Sequence, residues 1–251
     1  EQIPHGPISI GFTPDEEVGR GADHFDIEKF DADFAYTMDG DTEGEIQYEN
    51  FNAADAIFEI QGVNVHPGSA KDVMVNAALV AMEINAALPC GETPADTEDY
   101  EGFYHLVSMS GDVACAKLHY IVRDHDADKF AARLETIKEI SKQMNLKWGF
   151  GTVKLTIDEQ YRNMAEIIED GNMHLIENAK KACATADVTP LILPIRGGTD
   201  GARLSFMGLP CPNLGTGGHG YHGPFEHITA EGMDKAVDVM IELVKLYAEM
   251  K

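Results

Sequence analysis

Ala54-Asp55-Ala56-Ile57-Phe58-Glu59-Ile60-Gln61 decides the architecture of this chain. Residues 54, 56, 58 and 60 are apolar and their alternates mostly polar, the period of two that gives a strand one buried face. After a break at Pro67-Gly68, residues 70–88 carry helical periodicity, and an acidic linker runs from Gly91 to Gly102. Strands are predicted near 104–109 and 113–123, a helix over 127–144 and a strand over 151–161. The resulting β-α-β-β-α-β order is that of a ferredoxin-like unit.

On the N-terminal side, Ile8-Ser9-Ile10-Gly11-Phe12 predicts a short buried strand, with Thr13 as the N-cap and Pro14 at the first position of a following helix. Residues 32–38 predict a second strand, closed by the turn-forming Asp39-Gly40-Asp41. Beyond the ferredoxin-like unit come a helix over 173–186, a strand over 190–195, a Gly-rich loop and a helix from about 230 to 249. Alternating strands and helices imply an α/β domain interrupted by the insert, divided as 1–51, 52–162 and 163–251.

The 251 residues are 44% hydrophobic, enough for a substantial core. A formal charge of −24, from 43 acidic and 19 basic residues, argues against nucleic acid, whose binding requires Lys and Arg to neutralise phosphate. Most of these carboxylates are expected on solvated surface, so only their spacing is informative. Cys90, Cys115, Cys183 and Cys211 lie far apart, with no Cys-x-x-Cys pair, and are expected to be reduced and mostly buried. No stretch approaches the ~20 apolar residues of a membrane span, and the start shows no secretory pattern, so the expectation is a cytoplasmic protein away from membranes.

Glu16 and Glu17, in Thr13-Pro14-Asp15-Glu16-Glu17-Val18-Gly19, have two readings. Thr13-x-x-Glu16 is a capping box, and acids in a first turn favour the helix dipole. Adjacent carboxylates also suit a metal centre, one holding a cation while its neighbour moves protons. Asp39 ends a predicted strand, where α/β sheets place ligands, but Asp-Gly-Asp is equally an ordinary turn. Asp39, Asp41, Glu43 and Gly44 match the start of an EF-hand loop; Asn50 in place of the chelating Glu, and strands in place of helices, exclude it. The loop Gly215–His227 contains a formal G-x-G-x-x-G, but Pro224 and the short remaining chain leave no room for a dinucleotide-binding βαβ unit. Of its histidines, His222 is the candidate ligand; His219 and His227 read as loop groups. His66, in Val63-Asn64-Val65-His66-Pro67-Gly68, reads either as a cap for the segment that follows or as a functional group. Arg123 and Arg196 are notable in a chain with few cations, and a guanidinium fork suits a carboxylate.

On these motifs the chain resembles the M20 metallopeptidase family, in particular its cytosolic aminotripeptidases. The resemblance implies a catalytic α/β domain interrupted by a lid that also makes a homodimer, two zinc ions per complete subunit, and short peptides as substrates. It implies Glu16 as general base for a metal-activated water, Glu17 and His222 as ligands of one metal, and Asp39 as ligand of the other. His66 would reach the partner subunit's active site to stabilise the oxyanion, and Arg123 and Arg196 would hold the substrate's C-terminus. Other M20 hydrolases acting on N-acyl amino acids or as carboxypeptidases, and a non-catalytic dimeric peptide-binding module, are the alternative readings. The family also carries an N-terminal segment with a His-x-Asp motif and a bridging Asp, not found ahead of Glu1. This chain alone is therefore expected to have little activity unless that segment is supplied.

Overall fold

A computed structural model describes residues 3–250. The chain forms two compact units, residues 1–50 with 162–251, and residues 51–161. The first unit opens with a 3-10 turn at Glu16–Val18, α1 (Ile27–Phe30), β1 (Thr37–Gly40) and β2 (Glu45–Gln47). The second contains β3 (Asn52–Gln61), α2 (Ala77–Ala87), β4 (Phe103–Gly111), β5 (Cys115–Asp124), α3 (Ala127–Trp148) and β6 (Val153–Tyr161). The first unit then resumes with α4 (Ala165–Glu169), α5 (Met173–Thr185), β7 (Leu191–Ile192) and α6 (Asp200–Phe206). It ends with β8 (Asn213–Gly215), β9 (Gly218–His219), β10 (His227–Ile228) and α7 (Ala230–Glu249).

In the second unit the strand order is β4-β5-β3-β6, every neighbouring pair antiparallel, which is the ferredoxin-like arrangement. The period-two pattern of β3 turns Ala54, Ala56, Phe58 and Ile60 toward α2 and α3, where they pack with Val80, Ile84 and Ile137. Burying each large apolar side chain contributes about 1.5–3 kcal/mol. Asn76 Oδ1 caps α2 by accepting from the N–H groups of Ala78 and Leu79 at 3.1 and 3.3 Å. Asp126 caps α3 through the Lys129 N–H at 2.9 Å. No helix of this unit covers the other face of the sheet, which carries Asp55, His119 and Arg123.

The first unit has a mixed sheet, β1-β8-β2-β7, whose Ile46 and Leu214 pack against Ile176 of α5 and Val239 of α7. Among the described residues no helix is long and apolar enough to cross a membrane.

Several local expectations fail for identifiable reasons. Residues 8–12 form no strand: among the described residues nothing pairs with them, and Ile8, Ile10 and Phe12 are 55, 76 and 92% exposed. The helix expected after Thr13 is a single 3-10 turn, ended by Gly19 in the left-handed region at φ 70°. Its cap position is Asp15, also left-handed, so the Thr13–Glu16 capping box does not form. The strand expected over 32–38 starts only at Thr37 and continues through Asp39-Gly40. The helix expected from residue 70 starts at Ala77, because Asp72 is left-handed and Val75 bridges to Val63 before Asn76 caps. The strand expected over 190–195 shrinks to Leu191–Ile192, with Ile195 making an isolated bridge to Asn50. All four cysteines are free, but Cys90 and Cys115 are exposed; only Cys183 and Cys211 are buried.

Candidate active site

Asp39 sits where β1 meets β8. The parallel pairing runs Thr37↔Asn213 and Met38↔Leu214, then slips to Gly40↔Gly215, so Asp39 occupies the irregular position. Such bulges re-aim a side chain at a sheet's end. The loop after β8 is fastened to this end. Thr216 Oγ1 donates to Gly40 O at 2.9 Å, and Tyr221 Oη lies 2.8 Å from Thr216 Oγ1. Gly215 makes the approach possible, since a Cβ there would overlap the Thr42 carbonyl.

That loop brings His222 to Glu17: Nε2 and Oε2 are 3.1 Å apart, although both side chains are about three-quarters exposed. His222 holds a left-handed conformation, φ 58°, and its N–H donates to Glu226 Oε2 at 2.9 Å. A non-glycine residue in that region is strained, which the surrounding loop must sustain.

Around this pair the carboxylates crowd one another. Burial first, then the charges of Asp39, Asp200 and Glu17, together raise Glu16 to about 7 against the opposing effect of His222. Asp39, although it reaches the surface, is also raised, by desolvation and by Asp200, Glu17 and Asp41. No lysine or arginine contributes to either shift. Among the described residues the cluster thus concentrates negative charge that His222 alone opposes, an electrostatic setting suited to a divalent cation.

Asp200 is the member that the sequence does not reveal. It begins α6, behind the Thr199 cap, and is 4% exposed. Its Oδ2 is buried without a hydrogen-bond partner. Gly21 leaves room for it, because a Cβ there would overlap the carboxylate. An orphaned buried carboxylate oxygen is costly unless something outside the chain satisfies it. The one local signal is an acid directly after a threonine cap.

Oxygen and imidazole donors suit zinc. Among the described residues, however, no three His, Cys, Asp or Glu side chains converge tightly enough to hold a metal ion. Glu17 and His222 meet as a pair, and Asp39 stands beyond that pair.

Arg196 lies in the bend before α6, half-buried, in the first unit. His66 and Arg123 belong to the second unit. His66 is exposed and its Nδ1 accepts from the Gly68 N–H at 3.1 Å, capping the 3-10 turn Pro67–Ser69. In the neutral ring that bond leaves the proton on Nε2, a donor free to face solvent. Arg123 lies on the uncovered face of the sheet, with Cζ 4.9 Å from the centroid of the Tyr161 ring. Ala53 faces both residues in the ladder, and its small side chain lets the guanidinium cross to the ring. Arg123 Nε is buried without a hydrogen-bond partner. Burial lowers the pKa of this side chain, and Asp55 works against that.

Residues 48–149 match the peptidase dimerisation domain of the M20 family. Over 248 residues the chain is 55% identical to Peptidase T from Clostridium perfringens, covering 99% of this chain and 61% of that protein. The crystal structure of aminopeptidase PepT from Bacillus cereus matches with a TM-score of 0.81 and 25% identity, over 94% of this chain and 63% of that one. The YxeP protein of Bacillus subtilis, described as a dinuclear metal binding peptidase from the M20 family, matches with a TM-score of 0.68 over 96% of this chain and 65% of that one. At 16% identity this last likeness establishes the fold alone. The chain spans 61% of the length of the Clostridium relative.

Proposed function

Because this chain belongs to the M20 peptidase family, as a homologue of peptidase T, we propose that it carries much of the active site of a metal-dependent aminotripeptidase. The observation that carries this reading is the cluster of Glu16, Glu17, Asp39, Asp200 and His222, in which burial and the neighbouring carboxylates raise Glu16 and Asp39 and only His222 opposes them. Glu17 and His222 would hold one zinc ion and Asp39 a second, with further donors required from outside the described set. Bound zinc supplies Lewis acidity, which acidifies water and polarises the scissile carbonyl.

The chain's own residues do the rest. Glu16, raised to about 7, is poised to take a proton from the attacking water and return it to the leaving amine. Its freedom from a capping role leaves its carboxylate available. Arg123 and Arg196, each in its own unit, are the proposed receptors for the substrate's C-terminal carboxylate, chemistry for which the guanidinium fork is suited. His66 donates its Nε2–H to the developing oxyanion in the partner subunit of a homodimer.

Dimerisation through the second unit is supported by an apolar stretch on its edge. Leu79 and Met82 of α2 are 55 and 59% exposed, and Val107 and Met109 of the edge strand β4 are 45 and 49% exposed. An unpaired edge strand and an exposed apolar helix face are each natural templates for a second copy.

The test is hydrolysis of a tripeptide by the gene product with and without zinc, with the products identified. Release of the N-terminal residue, abolished by chelation, supports the reading. Metal-dependent cleavage of N-acyl amino acids in place of tripeptides contradicts it. A second reading, a non-catalytic dimeric peptide-binding module, is favoured by the absence of three converging donors among the described residues. Dimerisation and peptide binding without metal-dependent hydrolysis would establish that alternative.

A further inference from the structure

The uncovered face of the second unit's sheet carries an unusual pairing. Asp55 of β3 and Asp158 of β6 stand directly opposite each other in the ladder. Like charges in that relation destabilise a sheet. They are held together by one amide: Gln160 Nε2 donates to Asp55 Oδ2 at 3.3 Å and to Asp158 Oδ2 at 3.0 Å. Gln160 is free to do so because the register slips between Ala53 and Ala54, leaving it as the extra residue of β6. His119 Nε2 lies 3.2 Å from Asp55 Oδ1, without the alignment of a hydrogen bond.

Arg123 is the immediate neighbour of this acid pair. It faces Ala53, two residues from Asp55 on the same strand face, a separation of roughly 6–7 Å at about 3.3 Å per residue. Its Nε is buried and unpartnered, and the Tyr161 ring fixes the guanidinium from one side. One face therefore presents a carboxylate receptor and, one row away, two carboxylates that no lysine or arginine among the described residues contacts as an ion pair.

We infer that Asp55 and Asp158 are specificity-determining residues that favour peptides ending in lysine or arginine. The α-carboxylate of the C-terminal residue sits on Arg123, and its cationic side chain reaches back along β3 to the acid pair, a distance that the four-carbon stem of lysine spans. A C-terminal glutamate places a third carboxylate beside the pair and is disfavoured. This inference rests on the reading of Arg123 as the receptor for the substrate's C-terminus.

Calorimetric titration of the whole chain, carrying Glu16→Gln to prevent turnover, tests both. The ligands are Ala-Ala-Lys, Ala-Ala-norleucine and the C-terminal amide of Ala-Ala-Lys. The lysine peptide is expected to bind about fivefold more tightly than the norleucine peptide, the order that two partly exposed ion pairs supply. Asp55→Asn with Asp158→Asn brings that ratio close to one, whereas a merely structural role would weaken both peptides together. Equal binding of the lysine and norleucine peptides, with the free acid still preferred to the amide, overturns the inference and leaves the Arg123 reading standing. Equal binding of acid and amide, or no binding of any peptide, overturns both.

Discussion

His222 Nε2 and Glu17 Oε2 stand 3.1 Å apart, each on a side chain that solvent largely surrounds. An exposed pair of this kind adds little to stability. The chain nevertheless holds His222 in a left-handed conformation to make it. That conformation motivates the functional reading, in which the proposed base, Glu16, adjoins the two groups that would bind a cation.

Replacing Glu16 with Gln removes the proposed proton acceptor and preserves the shape. In the metal-loaded gene product the expected effect is a fall in kcat of about 100-fold or more, with KM for a tripeptide little changed. Steady-state kinetics across a range of tripeptide concentrations measures both.

Arg133 ties the acidic linker to the rest of the second unit. It donates through Nε to Asp124 Oδ2 at 2.7 Å, pairs with Glu92, and lies over the Tyr104 ring. The Asp124 side chain is 1% exposed, so Arg133→Ala leaves a buried carboxylate without its cation. The expected loss is about 3 kcal/mol, read from the urea midpoint. The exposed Lys138–Glu135 pair on α3 provides the control, since its removal should shift the midpoint very little.

Thiol accessibility separates the four cysteines. Cys90 and Cys115 are exposed and should react promptly with a thiol reagent in the native protein. Cys183 and Cys211 should react only on unfolding, and burial pushes the Cys211 thiol up to about 12, which withholds the thiolate. Mass spectrometry of the alkylated protein, native and denatured, counts the two classes.

Alkaline pH should destabilise both units. Burial raises Cys211 from 9.0 to about 12 and Tyr120 from 10.0 to about 12, so the folded state favours their neutral forms. Their contribution is complete below the unfolded values and is lost as pH rises through the folded ones, a window of about pH 9 to 12. Tyr120→Phe should flatten the part of this decline above pH 10. It also removes the hydroxyl that donates to Asn85 Oδ1 at 2.9 Å, lowering stability at neutral pH by about 1 kcal/mol. Melting temperature against pH, for both proteins, reports the two effects.

The second unit was the more legible in sequence. Period-two alternation over 54–61 and the helical period before Trp148 express which face each element buries, and both depend on neighbours of the same unit. Residues 8–12 show the limit of that signal. Their alternation fits a strand, but a strand requires a ladder partner, and Ile10 and Phe12 remain in solvent without one. At the candidate site, Glu16, Glu17, Asp39 and His222 are visible as motifs, whereas the meeting of Glu17 with His222 depends on the glycine-permitted docking of two distant loops. Asp200 was not visible as a member, because its burial against Gly21 and its unsatisfied oxygen arise only on folding.

Zinc binding is the most direct test of the central claim, that Glu17 and His222 are ligands of a divalent cation. Zinc affinity measured by competition with a chromophoric chelator, in the wild type and in Glu17→Gln with His222→Ala, should fall by at least about tenfold in the double variant. The zinc-induced rise in melting temperature should disappear with it. Equal affinity in the two proteins, or no zinc uptake by the wild type, would contradict the account.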